Sequence, residues 1–150
     1  MYKKIMIAID DSFMTDRVID TGVALAKAFG AEVAICHAID ETILAHRSLE
    51  VMLPNSVGKA EYKLRKGAGA FLEKAADRVR GAGVEPEMKL VESEQKHVSD
   101  QLAEAAAEWQ ADLLVVGSHG RRGMERFFVG SVAERLVRKA ETSLLLVRGE

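Results

Sequence analysis

Apolar residues along the chain come in two arrangements: short uninterrupted runs, and longer stretches in which they recur every three or four positions. Ile5-Met6-Ile7-Ala8-Ile9, Val33-Ala34-Ile35-Cys36-His37-Ala38-Ile39, Asp112-Leu113-Leu114-Val115-Val116 and Leu144-Leu145-Leu146-Val147 are of the first kind. Their lack of polar alternation is expected of parallel strands covered on both faces. Between them, Val18, Gly22, Leu25 and Phe29 recur at helical spacing up to a stop at Gly30. Leu64, Ala68, Phe71, Leu72, Ala75 and Val79 mark a longer helix closed by Gly81-Ala82-Gly83. Val98, Leu102, Ala105, Ala106 and Trp109 predict a third helix, and Val132, Leu136 and Ala140 a fourth. Val84 to Val91 alternates imperfectly and contains Pro86, so it is predicted as an edge strand, where a missing amide donor is tolerated. From Asp40 to about Lys59 the pattern weakens, and Pro54-Asn55-Ser56 interrupts what remains of it. That stretch is expected to be a long connection, either a lid beyond a strand end or a variable surface loop.

The order β-α-β-α-β-α-β-α-β predicts a single α/β domain over residues 1–150, an open five-stranded parallel sheet, doubly wound and Rossmann-like. Crossovers in such sheets are right-handed. With strands one and four side by side, the strand order is 3-2-1-4-5. The crevice between those two strands is then the switch point, beyond whose carboxyl ends ligands bind. The segments meeting there would be Asp10-Asp11-Ser12 and Gly117 to Gly130.

Composition narrows the classes of function. The chain has 150 residues, of which 48% are hydrophobic and 29% charged, an ordinary balance for a globular protein. A formal net charge of -2 argues against general binding to nucleic acid or anionic membranes. No run reaches transmembrane length and the start lacks the apolar core of a signal peptide, so a cytoplasmic location is the expectation. The single cysteine, Cys36, lies within an apolar run; it excludes an intrachain disulfide and a cysteine metal cluster, and reads as a buried thiol.

The stretch with chemical promise is Val115-Val116-Gly117-Ser118-His119-Gly120-Arg121-Arg122-Gly123, running on to Phe128-Val129-Gly130-Ser131-Val132. A strand end, a basic glycine-punctuated loop and a helix start follow one another. Backbone amides hold phosphate where no side chain blocks the approach, and a helix N-terminus adds unpaired N–H groups and a positive dipole end. Gly117 and Gly120 suit the first role, Gly130-Ser131 the second, and Arg121, Arg122 and Arg126 add charge suited to phosphate oxygens. Each residue also has a plain structural reading. Ser131-Val132-Ala133-Glu134 is a capping box that would satisfy its own helix, the glycines serve tight turning, and the arginines form a solvated face. His119 has no neighbour in metal-ligand spacing, and no metal site is expected; a loop histidine near phosphates is its functional reading. Asp10 continues the first strand and would face the crevice, accepting from ribose hydroxyls or an adenine amino group, whereas Asp11 or Ser12 suits the cap of the next helix.

On these residues the sequence resembles the universal stress protein family. Its nucleotide-binding members carry Gly, two residues, Gly, nine residues, then Gly followed by Ser or Thr, and Gly117, Gly120, Gly130 and Ser131 meet that spacing. Ile5 to Ser12, Cys36-His37-Ala38-Ile39-Asp40 and Asp112 to Gly120 resemble the family's first, second and fourth strands, so the likeness spans essentially the whole chain. The resemblance implies an ATP site, with Mg or Mn carried through the phosphates. Ala8, Ile9 and Asp10 would border the adenosine, Ala38 the base edge, and Val116 and Gly117 the ribose, while Gly120, Gly130, Ser131 and Val132 would hold phosphates. It further implies a homodimer through the last strand, Ser143 to Val147, which independently reads as an apolar edge with no charge to block pairing. Two departures stand out. Asp11 replaces a frequent glycine and adds negative charge near the ligand, and Thr142-Ser143 replaces a Cys-Pro pair.

Rival readings fare worse on the residues. No Gly-x-Gly-x-x-Gly follows the first strand and no Gly-Lys-Ser/Thr closes a loop, so neither a dinucleotide enzyme nor a P-loop is indicated. The Ser-Gly-Gly loop of ATP pyrophosphatases is missing too. A phosphorelay receiver would need an acceptor Asp after its third strand and a Lys after its fifth, where Val91-Glu92-Ser93 and Val147-Arg148-Gly149 stand. No catalytic nucleophile or base is evident, which leaves an ATP-binding regulatory module for stress response, with a low-turnover metal-assisted ATPase as the alternative.

Overall fold

The apolar runs assemble into one parallel sheet of five strands, β1 (Lys4–Ile9), β2 (Glu32–Ile39), β3 (Pro86–Glu92), β4 (Leu113–Gly117) and β5 (Ser143–Val147). Their order is β3-β2-β1-β4-β5, and each pairing is parallel, as expected from the sequence. The structure, a computed structural model, describes residues 1–39, 54–93, 95–118 and 130–149, for 54–61 the backbone alone. Among them are the helices α1 (Thr15–Phe29), α2 (Pro54–Gly81), α3 (Val98–Trp109) and α4 (Ser131–Lys139).

Alternation along the strands divides the core into two layers. Ile5, Ile7, Ile9, Val33, Ile35, Leu113 and Val115 face α1 and α2 and pack on Val18, Ile19, Val23, Leu72, Ala76 and Val79. Met6, Ala8, Ala34, Cys36, Ala38, Leu114 and Val116 face α3 and α4 and pack on Leu102, Ala105, Ala106, Trp109, Ala133 and Leu136. Because both faces are buried, the central strands carry no polar register, which is why they read as continuous apolar runs.

α1 meets the sheet at Gly22, where a Cβ would stand 2.5 Å from Ile7 Cδ1. Replacing Gly22 with valine should lower unfolding stability by about 1–3 kcal/mol through overpacking, read from denaturant midpoints. The helix ends at Gly30, whose φ of 64° lies in the left-handed region and whose amide reaches Ala26 O. Its buried face is Val18, Ile19, Gly22, Val23 and Ala26. Phe29, grouped with that face by spacing, instead lies 41% exposed and meets Tyr2 edge-on at 5.6 Å. Asp112 sits just before β4, where its carboxylate accepts from the amides of Lys3 and Lys4 at 2.8 and 3.1 Å and ties the start of β1 to β4.

Pro54-Asn55-Ser56, expected to break the chain pattern, begins α2. Proline at the first helical position loses nothing, since amides there have no intrahelical acceptor and its φ is already helical. The rest of the expected connection, residues 40–53, lies outside the described residues, as does any lid role for it.

Cys36 is fully buried and its thiol is pushed up to about 12 by that burial, opposed by the nearby Lys89. Iodoacetamide at pH 8 should leave folded protein unmodified and alkylate Cys36 only once denaturant unfolds the chain, as mass spectrometry would detect.

Candidate functional site

The crevice at the sheet's switch point lies between the carboxyl ends of β1 and β4, which pair directly through Ile5–Leu113, Met6–Leu114 and Ile7–Val115. β1 bonds β2 on its other side, so the chain departs in opposite directions from this point. Three segments converge there: Asp10 to Thr15 after β1, Ala38 near the end of β2, and Gly117-Ser118 at the end of β4 with Gly130 at the start of α4.

The β4 side is built on Ser118. Its side chain is fully buried, and its amide donates to Val147 O of β5 at 2.8 Å. Its carbonyl accepts from the Gly130 amide at 2.6 Å. Ser118 thus joins the carboxyl end of β4 directly to the start of α4. Gly130 is the N-cap of α4, with φ -60° and ψ 156°, and Glu134 N closes the first turn on Gly130 O at 2.9 Å. Ser131 is already inside the helix and exposed, and no side chain among the described residues caps this terminus. The capping box is thus not formed as the sequence suggested: the cap position falls one residue earlier, on a glycine without a side chain. The first-turn amides of α4 stand at the crevice with the positive end of the helix dipole.

The β1 side is held by a short network. Asp10 Oδ1 accepts from Ser12 N at 3.0 Å and lies 3.5 Å from Thr15 Oγ1, whose hydroxyl donates to the Asp10 carbonyl. Ser12 Oγ accepts from Met14 N at 3.3 Å and Ser12 O from Thr15 N at 3.3 Å, so Ser12 does serve the start of α1. Asp10 shares that work, with one oxygen turned into its own loop. Among the described residues Oδ2 accepts no hydrogen bond.

Of the residues singled out in the sequence, Ala8, Ala38 and Val116 share one core layer with Ala133, and Val132 packs against it. Ile9 points into the opposite layer with Met14 and Val147. Gly117 closes β4, and Gly130, Ser131 and Val132 begin α4. His119 and Gly120, with Arg121, Arg122 and Arg126, lie outside the described residues. Three contributors escaped the sequence reading: Thr15, Ser118 as the anchor of both loop ends, and His37, whose Nδ1 is 3.0 Å from Ile9 O. A polar residue inside the run Cys36-His37-Ala38 was the available signal for the last. Among the described residues, no group of three or more His, Cys, Asp or Glu is placed to hold a metal ion. No helix among them is long and apolar enough to cross a membrane.

Sheet order, two-sided helical cover and a helix N-terminus at the switch point define a Rossmann-like α/β protein with a crevice at the strand ends. The chain belongs to the universal stress protein family, whose family model matches residues 1–148. It is 30% identical to the universal stress protein YxiE of Bacillus subtilis (strain 168), over 99% of this chain and 100% of that protein. The hypothetical protein MJ0577, solved as a test case of structural genomics, has the same fold with a TM-score of 0.82 and 23% identity, covering 100% of this chain and 98% of that one. A universal stress protein solved in complex with cAMP superimposes with a TM-score of 0.66 and 27% identity, covering 99% of this chain and 98% of that one.

Proposed function

We propose that the crevice binds an adenine nucleotide, ATP in the first instance, and that the protein is a nucleotide-dependent regulatory module of the stress response. The observation that carries this reading is the closure of the β4–α4 loop by Ser118 and Gly130 onto an uncapped helix start. Three consecutive features of a phosphate cradle coincide there: a glycine at the strand end, a pinned loop return and first-turn amides with no side-chain acceptor among the described residues. The nucleoside half has its own surface. Ala8 and Ala38 offer small apolar floors beside Val116, and Asp10 Oδ2 is the acceptor for a ribose hydroxyl or a base amine. A universal stress protein of similar sequence holds cAMP, which supports an adenine nucleotide as the ligand class. A divalent cation would enter with the phosphates rather than through a protein cage.

Binding without appreciable turnover is the proposed mode of action, and a phosphate-release assay on the nucleotide-loaded protein tests it. A receiver domain is disfavoured by topology, because its sheet runs 2-1-3-4-5 whereas β3 here lies outside β2. The working unit is a homodimer paired through β5. The opposite edge, β3, carries Pro86, Glu87, Lys89 and Glu92, whereas β5 is Ser-Leu-Leu-Leu-Val with no charge or proline to deter pairing.

Acid denaturation of freshly purified protein, followed by chromatography of the supernatant, should release an adenine nucleotide, and calorimetry on stripped protein should give a saturable ATP isotherm. Protein that carries no nucleotide and yields flat isotherms with ATP, ADP, AMP and cAMP would overturn the reading.

A further inference from the structure

We infer that His37 is a positioning residue for the nucleoside half of the ligand, acting through Asp10; the inference rests on the nucleotide reading of the crevice. His37 stands opposite Ile9 at the last register pair between β1 and β2. Beyond it β2 continues beside β3, up to Ile39 opposite Glu92, while β1 gives way to the Asp10 loop. The end of β1 is thus the point where ladder support from β2 stops. There the His37 side chain supplies one further bond, its Nδ1 lying 3.0 Å from Ile9 O.

A carbonyl oxygen only accepts, so Nδ1 carries the proton of this bond in the neutral ring and in the imidazolium alike. The contact acts as a fixed strut. Its rotamer is held by Phe71 of α2, which meets the imidazole edge-on with ring centroids 5.0 Å apart. The peptide linking Ile9 to Asp10 is a rigid plane, and holding its oxygen sets the direction in which Asp10 leaves the strand. Two further contacts complete the frame: the Thr15 hydroxyl on the Asp10 carbonyl and the Ser12 amide on Oδ1. Asp10 is thereby held at its preceding peptide, its own carbonyl and one carboxylate oxygen. The remaining oxygen, Oδ2, is the atom aimed by that frame. His37 itself lies with the α1–α2 layer of the sheet and needs no contact with ligand.

The test compares two nearly isosteric replacements in the full chain. Asparagine places an amide donor where Nδ1 stands, and leucine places a methyl there. Calorimetry with adenosine, AMP and ATP should show His37→Leu weakening all three by the same factor, roughly three- to tenfold for loss of one hydrogen bond. His37→Asn should stay within about twofold of the unsubstituted protein, since the donor is kept. In an Asp10→Asn background the leucine substitution should have no further effect, the signature of action through Asp10. Equal affinities for wild type and His37→Leu, additive losses with Asp10→Asn, or a loss for ATP without one for adenosine would each overturn the assignment. If wild type binds none of the three ligands, the nucleotide reading fails and the assignment with it. Should His37→Leu not fold, nitrogen-15 imidazole spectra of the unsubstituted protein decide: the assignment requires a protonated Nδ1 at neutral pH, and an unprotonated Nδ1 overturns it.

Discussion

Gly130→Val should lower ATP affinity by about a hundredfold, or about 2.7 kcal/mol, while leaving the fold and the affinity for adenosine nearly unchanged. The separation of effects follows from backbone geometry. Gly130 has φ -60° and ψ 156°, a region that valine adopts without strain, so the substitution needs no change of path at the helix start. Its amide remains available to Ser118 O and its carbonyl to Glu134 N, which keeps the loop return and the first turn of α4 intact. What changes is the space in front of the first-turn amides, where a β-branched side chain replaces a hydrogen and holds the phosphate oxygens away. Charge-assisted bonds from such amides contribute most where water is excluded, so loss of close approach costs more than one ordinary hydrogen bond. Calorimetry with ATP and adenosine, beside thermal unfolding curves, checks all three parts. Unchanged ATP affinity in a folded variant would remove the phosphates from this helix start.

The fold was legible because it is written in periodicity that local sequence cannot easily disguise. Strands buried on both faces need uninterrupted apolar runs, and Ile5 to Ile9 or Leu113 to Val116 have no competing helical reading once their short length is considered. Pro86 marked an edge correctly, because a central strand could not lose that donor. Pro54 misled for a related reason. Proline signals both a break and a first helical turn, and only the tertiary context of α2 decides between them. Phe29 misled by spacing alone: it recurs on the helical period but sits in the last turn, where the sheet has ended and Tyr2 is its neighbour.

Around the candidate site, the places of the glycines in the fold were legible and the bonding was not. Strand–loop–helix order identified Gly117 and Gly130, yet the cap could not be assigned between Gly130 and Ser131 from sequence. Both assignments satisfy the same amino acids and differ by one residue in where helical dihedrals begin. The double role of Ser118 depends on β5 arriving at its amide and Gly130 returning to its carbonyl, contacts across 29 and 12 positions that no local pattern encodes. His37 was hidden by its surroundings. A histidine in an apolar run has an ordinary reading as a buried polar residue with a backbone partner, and only the register Ile9–His37 reveals whose carbonyl it serves.

The second large effect is expected at the β5 edge of the sheet. Leu144→Pro should convert a dimer into a monomer while preserving nucleotide affinity. Val147 O accepts from Ser118 N just past β4, so the peptide groups of Val147, and by alternation those of Leu145 and Ser143, face inward along the sheet. Those of Leu144 and Leu146 then project from the free edge. An antiparallel partner strand would bond to these outward groups, and proline at position 144 removes one of the donors and places its ring in the partner's path. The β4 ladder keeps its own bonds, since the altered amide is on the far side. Proline also restricts its predecessor, Ser143, to an extended conformation that the strand already requires. The partly buried Leu144 gives up some packing against the α3–α4 layer, which should lower thermal stability modestly without exposing the core. Sedimentation equilibrium at tens of micromolar protein should give two chain masses for the unsubstituted protein and one for the variant. A monomeric wild type, or a variant that stays dimeric, would move the interface away from β5. An ATP affinity that survives in the monomer would establish that each crevice is complete within one chain.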